Sequence, residues 1–477
     1  MSLLLLTACA PNYIAFPMDD TAGAVVDTSA GGDTDTAADT DADTAADTDP
    51  ETGTGTPGRV DPSDGPQITP WAGWFGAPVS ITPPSDFAAD LKTGDFNGDG
   101  LPDVSVSTSP SGSWKDGDRP FNIELSLTDG AGGFTPVSVP TALMSGYTLV
   151  TDVADLDGDG DADLVAAHSG GVSVFFSDGT TLATQVDYTG LRVGAVELGD
   201  VDGDGDSDLL ALDDNGDLNL WANDGRGNFS LVQALPAGGG FVLDYEWDSI
   251  DLVDLDLDGA LDVVVLIAEG TFLGVDPMVA YLNDGAGTFD TTAWSTGPTP
   301  PYDIALGDID GEGHVDIVYA GMTTPTIESI AWDSGYGAVT SWPISSYGYQ
   351  WVLTGDVDGD GDTDAVGTVG FDVGVSLQDA GALVDQGVAY PMATTMGWLS
   401  ANDAIELVDM TGDGCADVVA ALYGVGTSIL PATGPNCTGD APKAWTGALP
   451  DRPSLPARAP ARSLLRPNST RDTVPSP

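Results

Sequence analysis

Basic residues are scarce. Twelve Lys and Arg stand against 75 Asp and Glu, a formal charge of −63 over 477 residues. Such a chain repels a phosphate backbone, which excludes nucleic acid as a partner and favours divalent cations. Histidine is nearly absent, with only His168 and His314, and the cysteines are three, Cys9, Cys415 and Cys437. No Ser-His-Asp or Cys-His set can be assembled from so few residues, and no zinc-ligand spacing occurs. No apolar run reaches 18 residues, so the sequence offers no helical membrane span. Hydrophobic residues still make up 41% of the chain. The acid excess is therefore not that of a disordered polyanion throughout, and the length allows a sizeable core.

Aspartate and glycine are abundant, and they are ordered. The stretch Asp200-Val-Asp-Gly-Asp-Gly-Asp-Ser-Asp208 places side-chain oxygens at positions 1, 3, 5 and 9 and glycine at position 6. A hard dication needs six to eight oxygens in a small sphere, and a sharp turn to converge them. The position 6 glycine adopts a backbone angle that a side chain would forbid, and the carbonyl of position 7 is a further donor. The stretch is built like the first part of an EF-hand loop without that loop's acid at position 12. Copies begin at Asp95, Asp155, Asp200, Asp254, Asp308, Asp356 and Asp409, 45 to 60 residues apart. A period near 50 marks an array of supersecondary units.

Each unit follows one grammar. A short apolar strand such as Val193-Gly-Ala-Val-Glu-Leu198 enters the loop, and a second such as Leu209-Leu-Ala-Leu212 leaves it. A third ends in a tight turn, Leu220-Trp-Ala-Asn-Asp-Gly-Arg-Gly-Asn-Phe229 or Tyr281-Leu-Asn-Asp-Gly-Ala-Gly-Thr-Phe289, and a fourth starts at the Phe. Asp-Gly between apolar runs is a hairpin signal. Four antiparallel strands in each of seven units predict an all-β fold, a seven-bladed β-propeller over 67–438.

The loop followed by N-D-G-x-G-x-F resembles FG-GAP/VCBS repeats, which form the integrin α-subunit propeller and many bacterial surface proteins. The resemblance covers about 370 residues and implies up to seven Ca2+ ions. Carried over position by position, the ligands are Asp95, Asn97, Asp99 and Asp103 in blade one, and Asp155, Asp157, Asp159 and Asp163 in blade two. Blade three offers Asp200, Asp202, Asp204 and Asp208; blade four offers Asp254, Asp256, Asp258 and Asp262. Blade five offers Asp308, Asp310, Glu312 and Asp316, blade six Asp356, Asp358, Asp360 and Asp364, and blade seven Asp409, Thr411, Asp413 and Asp417. Glu312 is a carbon longer than Asp and Thr411 is neutral, so blades five and seven are expected to bind most weakly.

Blade seven shows three strands and no closing G-x-F strand, whereas Trp74-Phe-Gly-Ala-Pro-Val-Ser-Ile81 reads as a fourth strand without a blade. Pairing of 74–82 with the last blade would clasp the ring and remove two open sheet edges; otherwise it is an unpaired lead-in. Cys415 and Cys437 form either a disulfide that pins the end of the ring or two free thiols. Leu6-Thr7-Ala8-Cys9 resembles the bacterial lipobox, in which the cysteine is acylated. Residues 1–9 are then a truncated lipoprotein-type signal, since the apolar run is short and no Lys or Arg precedes it. Residues 10–66, rich in Asp, Thr and Ala, read as a solvated linker. The Pro- and Arg-rich 439–477 reads as a disordered tail, which either stays free or touches the acidic body, an anionic lipid or a polysaccharide.

Carboxylate pairs occur everywhere and are better explained by cation ligation than by acid–base catalysis. An aromatic precedes every loop: Phe87, Tyr147, Tyr188, Trp247, Tyr302, Trp351 and Trp398. These rings lie on the face opposite the loops and either cap the space between blades or meet a ligand; Trp247 and Trp351 lie in the densest clusters. The reading is a Ca2+-binding, monomeric, non-enzymatic propeller on a bacterial outer membrane or cell surface, held by a lipid anchor or otherwise secreted. It would bind a glycan or protein in adhesion. The alternatives are a polysaccharide lyase or hydrolase on the same scaffold, or a purely structural surface protein.

Overall fold

The computed structural model describes residues 67–437 apart from short breaks, the longer of which are 69–74, 82–86, 110–119, 237–248, 267–277, 296–303, 321–325, 345–350 and 393–397. The described residues form seven sheets and no helix. Blade three shows the plan. Val193–Gly199 is innermost, followed outward by Asp208–Asp213, Asp217–Ala222 and Ser230–Pro236, each antiparallel to the last. The innermost strands of the other blades are Phe87–Gly94, Val150–Ala154, Ser249–Val253, Ile304–Gly307, Val352–Gly355 and Ile405–Val408.

A blade has two apolar faces, because each strand points alternate side chains at the neighbours on either side. The second strand is therefore buried along its whole length, as in Asp163–His168 and Asp208–Asp213. The core is a set of seven clusters, one between each pair of adjacent blades. One joins the last blade to the first: Val408, Val419 and Ala421 pack on Leu91, Val104 and Val106. A polar latch repeats that closure, with Thr93 donating from N (2.9 Å) and Oγ1 (2.8 Å) to Glu406 Oε2.

The clasp is present. Val79–Ser80 is the outermost strand of blade seven, antiparallel to Gly426–Leu430. Phe75 bridges to Ala432 and is fully buried, its ring edge-on to Tyr390 at 5.3 Å, in the cluster between blades six and seven. The sequence did not reveal what comes just before it. Gln67–Ile68 pairs in parallel with Leu383–Pro391 as a fifth strand on blade six. The lead-in chain therefore crosses the outside of two blades before it enters blade one. Cys415 and Cys437 are joined by a disulfide 22 residues apart in sequence.

Cys9, the 10–66 segment and the 439–477 segment lie outside the described residues, as do Tyr147, Trp247 and Tyr302 and the side chains of Phe87 and Trp398.

If Phe75 is the plug of the clasp, Phe75→Ala should cost about 3–5 kcal/mol, read from urea unfolding. The half-exposed Val339 (47%) is the control. A loss no larger than that of Val339→Ala would show that the clasp does not hold the ring.

Candidate metal centres

Each acidic loop connects the innermost strand of a blade to the second. Its shape is set by its own carboxylates. In all seven loops the position 6 N–H donates to Oδ2 of position 1, at 2.8–3.0 Å. In six of them the position 7 N–H donates to Oδ1 of position 5, at 2.9–3.1 Å. Aspartate side chains that bond the backbone two residues on make turns of this kind. Position 4 as well as position 6 is left-handed, as at Gly203 (φ 77°) and Gly205 (φ 97°). Leu257 holds position 4 of blade four at φ 59°, where the other six loops have glycine.

The position 9 aspartates end each loop and are at most 1% exposed. Oδ2 of each accepts the position 2 N–H at 2.8–3.2 Å. In six blades Oδ1 accepts a second N–H from the end of the third strand or just beyond it: Thr128, Ser177, Asn223, Asn283, Gln378 or Ala432, at 2.6–2.9 Å. Blade five differs, because Asp316 Oδ1 is buried without a partner among the described residues. Burial pushes these carboxyls up against the lowering pull of their N–H partners. Asp103, Asp163, Asp262, Asp316 and Asp417 reach about 7, Asp208 about 6 and Asp364 about 8.

In blades two to five, positions 1, 3 and 9 converge. Asp155, Asp157 and Asp163 form one group, as do Asp200, Asp202 and Asp208; Asp254, Asp256 and Asp262; and Asp308, Asp310 and Asp316. Within each group the nearest carboxylate oxygens lie within 4.8 Å of one another. Two ligands on opposite sides of one ion at 2.3–2.6 Å are separated by about that much. Position 5 is not in these groups; where it is Asp159, Asp204 or Asp258, its Oδ1 is bonded to its own turn. Asp157 Oδ1 and Asp308 Oδ1, like Asp316 Oδ1, are buried without a partner among the described residues. An all-oxygen set with orphaned carboxylate oxygens fits a hard divalent cation. Several of these groups could therefore hold metal ions. In blade seven, Thr411 N donates to Asp417 Oδ2 and Asp413 N to Asp409 Oδ1.

The loops also hold the blades to one another. Asn223 Nδ2 of blade three donates to Leu156 O in the loop of blade two (2.9 Å), and Asn283 Nδ2 of blade four donates to Val201 O in that of blade three (2.6 Å). Ser177 Oγ does the same for Phe96 O (2.7 Å). The Asn of the N-D-G turn is thus an inter-blade tie as well as a turn residue. Position 7, where only the backbone carbonyl was expected to matter, also reaches across: Asp161 Oδ1 lies where a Cβ on Gly98 of blade one would stand 2.4 Å away.

Of the aromatic candidates, the side chains of Tyr188 and Trp351 are described. Tyr188 packs on Trp221 (6.1 Å) and Phe229 (5.8 Å), and its hydroxyl donates to Gly227 O, so this ring caps the gap between blades. Beside it lies a small apolar crevice lined by Val172, Tyr188, Val193, Leu209, Ala211 and Trp221. Trp351 is half-buried and tied by its backbone to Thr368, with its indole N–H buried and without a partner among the described residues. Strand register brings together a trio that spacing did not reveal. His168 Nδ1 accepts from Gly170 N, so Nε2 carries the proton and donates to Ser173 Oγ, which donates to Asp187 Oδ1. A nucleophilic serine would donate to the histidine; here the order is reversed and Ser173 is fully buried.

A raised carboxyl pKa stabilises the fold below the ordinary carboxylate range, and that contribution is lost as pH rises through the folded value. Metal-free protein should therefore melt lower at pH 8 than at pH 5, and saturating divalent cation should shrink or reverse the difference. Equal metal-free melting temperatures at the two pH values would refute this. Leu257→Gly should stabilise by about 1 kcal/mol by relieving the left-handed strain; a lower melting temperature would show that packing of the leucine outweighs the strain.

An FG-GAP-like repeat model matches residues 95–166, 155–211 and 200–265. No curated protein matches the sequence. Among solved structures, BBS1N in complex with ARL6DN superposes at TM-score 0.51 and 11% identity, over 76% of this chain and 98% of that one. A lectin from Agrocybe aegerita that recognises non-reducing terminal N-acetylglucosamine gives 0.47 at 21% identity, over 75% and 96%. The rhamnogalacturonan lyase PL11 of Bacillus licheniformis gives 0.47 at 14%, over 75% of each. At such identities the likeness is one of fold alone. The three repeat matches run from one acidic loop to the next, so the repeat recognised in sequence is the blade seen in the structure, and the chain is a seven-bladed β-propeller that carries FG-GAP-like repeats over residues 95–265.

Proposed function

We propose that the chain is a Ca2+-stiffened binding module displayed outside the cell, which captures a glycan or protein ligand in adhesion and catalyses no reaction. The observation that carries the metal part is the convergence of positions 1, 3 and 9 in loops already shaped by their own turns. In such a loop the acids of positions 1, 3 and 9 and the position 7 carbonyl would hold the ion, and position 5 joins by turning its free oxygen inward. The ion supplies charge neutralisation and cross-linking; the fold does the rest. Extracellular Ca2+ modules bind at roughly 10⁻⁴–10⁻³ M, a range that suits an exterior location. The Cys415–Cys437 disulfide agrees with an oxidising compartment. Acylation of Cys9 would anchor a monomer to the outer membrane, with 10–66 as its spacer.

Two features support binding over catalysis. The described histidines are His168, in a chain of reversed polarity, and His314, at position 7 of a loop. The loop face is filled by interlocked turns, so a ligand is expected on the opposite face, where Trp351 and Trp247 are the residues to replace first.

Chelation with EGTA should lower the melting temperature sharply, and Ca2+ should restore it; an unchanged melt would show that the loops are not metal clasps. Glycan and protein arrays read with and without EGTA should show Ca2+-dependent binding. Release of an unsaturated product from an acidic polysaccharide, seen as a rise in absorbance, would overturn the non-enzymatic reading in favour of a lyase.

A further inference from the structure

The blade five loop carries an acid at all four positions, but it departs from its counterparts. Among the described residues, its buried Asp316 lacks the second N–H that holds Oδ1 in the other six blades. Asp308 Oδ1 is buried without a partner as well, and Asp308, Asp310 and Asp316 present oxygens within 4.8 Å of one another. Two desolvated carboxylate oxygens in one loop cost free energy unless a cation takes them. In the other loops hydrogen bonds already satisfy much of that demand.

Blade six closes over the same loop. Gln378, 5% exposed, takes the amide orientation that satisfies both of its ends. Its nitrogen donates to Asp362 Oδ2 (2.7 Å) and its oxygen accepts from Gly311 N (3.0 Å), between Asp310 and Glu312. The blade six turn presses on the loop so closely that a Cβ on Gly381 would stand 2.7 Å from Asp310 O. Asp362 is therefore held at the blade boundary by a residue that also holds loop five.

We propose that blade five bears the tightest cation site of the seven, with Asp308, Asp310 and Asp316 as its carboxylates and Asp362 of blade six, positioned by Gln378, as a supporting charge across the blade boundary. This rests on the reading that the loops bind Ca2+, and it reverses the sequence expectation that Glu312 makes blade five weak. The longer side chain of Glu312 suits a loop whose ion is drawn toward Asp316, at the buried end.

The test is a chelator-competition titration of the first equivalent of Ca2+, on the full chain, with a thermal melt of each variant. Asp310→Asn should weaken the first equivalent about tenfold or more, and Asp362→Asn about tenfold, as loss of a supporting group around a metal does. Asp202→Asn, the same position in blade three, should leave the first equivalent unchanged. Gln378→Leu should weaken it in the same direction as Asp362→Asn. The proposal is overturned if Asp202→Asn abolishes the first equivalent, or if Asp362→Asn leaves it untouched while wild type binds. Wild type that takes up no Ca2+ would instead defeat the reading of the loops as Ca2+ sites.

Discussion

A carboxylate buried at the end of each loop is the constraint on which this propeller depends. Position 9 sits where the second strand begins, under the joint between blades, and is almost completely removed from water. An ionised carboxylate there must be matched by donors or by a cation. In six blades the structure supplies backbone N–H groups from two directions, one from the loop and one from the third strand or just beyond it. That single side chain therefore fixes the register of three chain segments. The cost of keeping it charged is visible in its pKa, raised to about 7 in most blades.

The ties between blades grow from the same place. The carbonyl at position 2 of a loop accepts from the next blade's turn, as Val201 O does from Asn283 Nδ2 and Gly287 N. Loop shape and ring shape are thus one problem. A cation that stiffens a loop also stiffens the acceptor for its neighbour, so its effect spreads around the ring through hydrogen bonds already in place. The apolar clusters between blades provide the bulk of the cohesion, and the loops provide its alignment.

Much of this was legible in the sequence because it is local. The acidic nonapeptide, the N-D-G turn and the missing fourth strand of blade seven are short patterns with a direct physical meaning, and they led to the blade count and the clasp. What escaped depends on partners far away in the chain. Gln67–Ile68 has no turn chemistry to announce it, and its parallel partner lies more than 300 residues on. The cross-blade reach of Asp161 to Gly98 and of Gln378 to Gly311 is invisible without the packing of one blade on the next. The trio of His168, Ser173 and Asp187 arises from strand register, since Ser173 lies opposite Asp187 on the adjacent strand. Leu257 could have been noticed as the one residue at position 4 that is not glycine, had position 4 been recognised as left-handed.

The clasp has a consequence for how the chain reaches its native state. Phe75 must find Ala432, and Thr93 must find Glu406, across a separation of 313 residues in the second case. The seven blades themselves are local structures, each made from neighbouring strands. Closing the circle, by contrast, demands the largest loop entropy in the molecule. The strand that enters the ring is made before its partner in the last blade. Until then blades six and seven lack the plug between them, and an incomplete chain exposes an apolar edge rather than a shorter but finished ring.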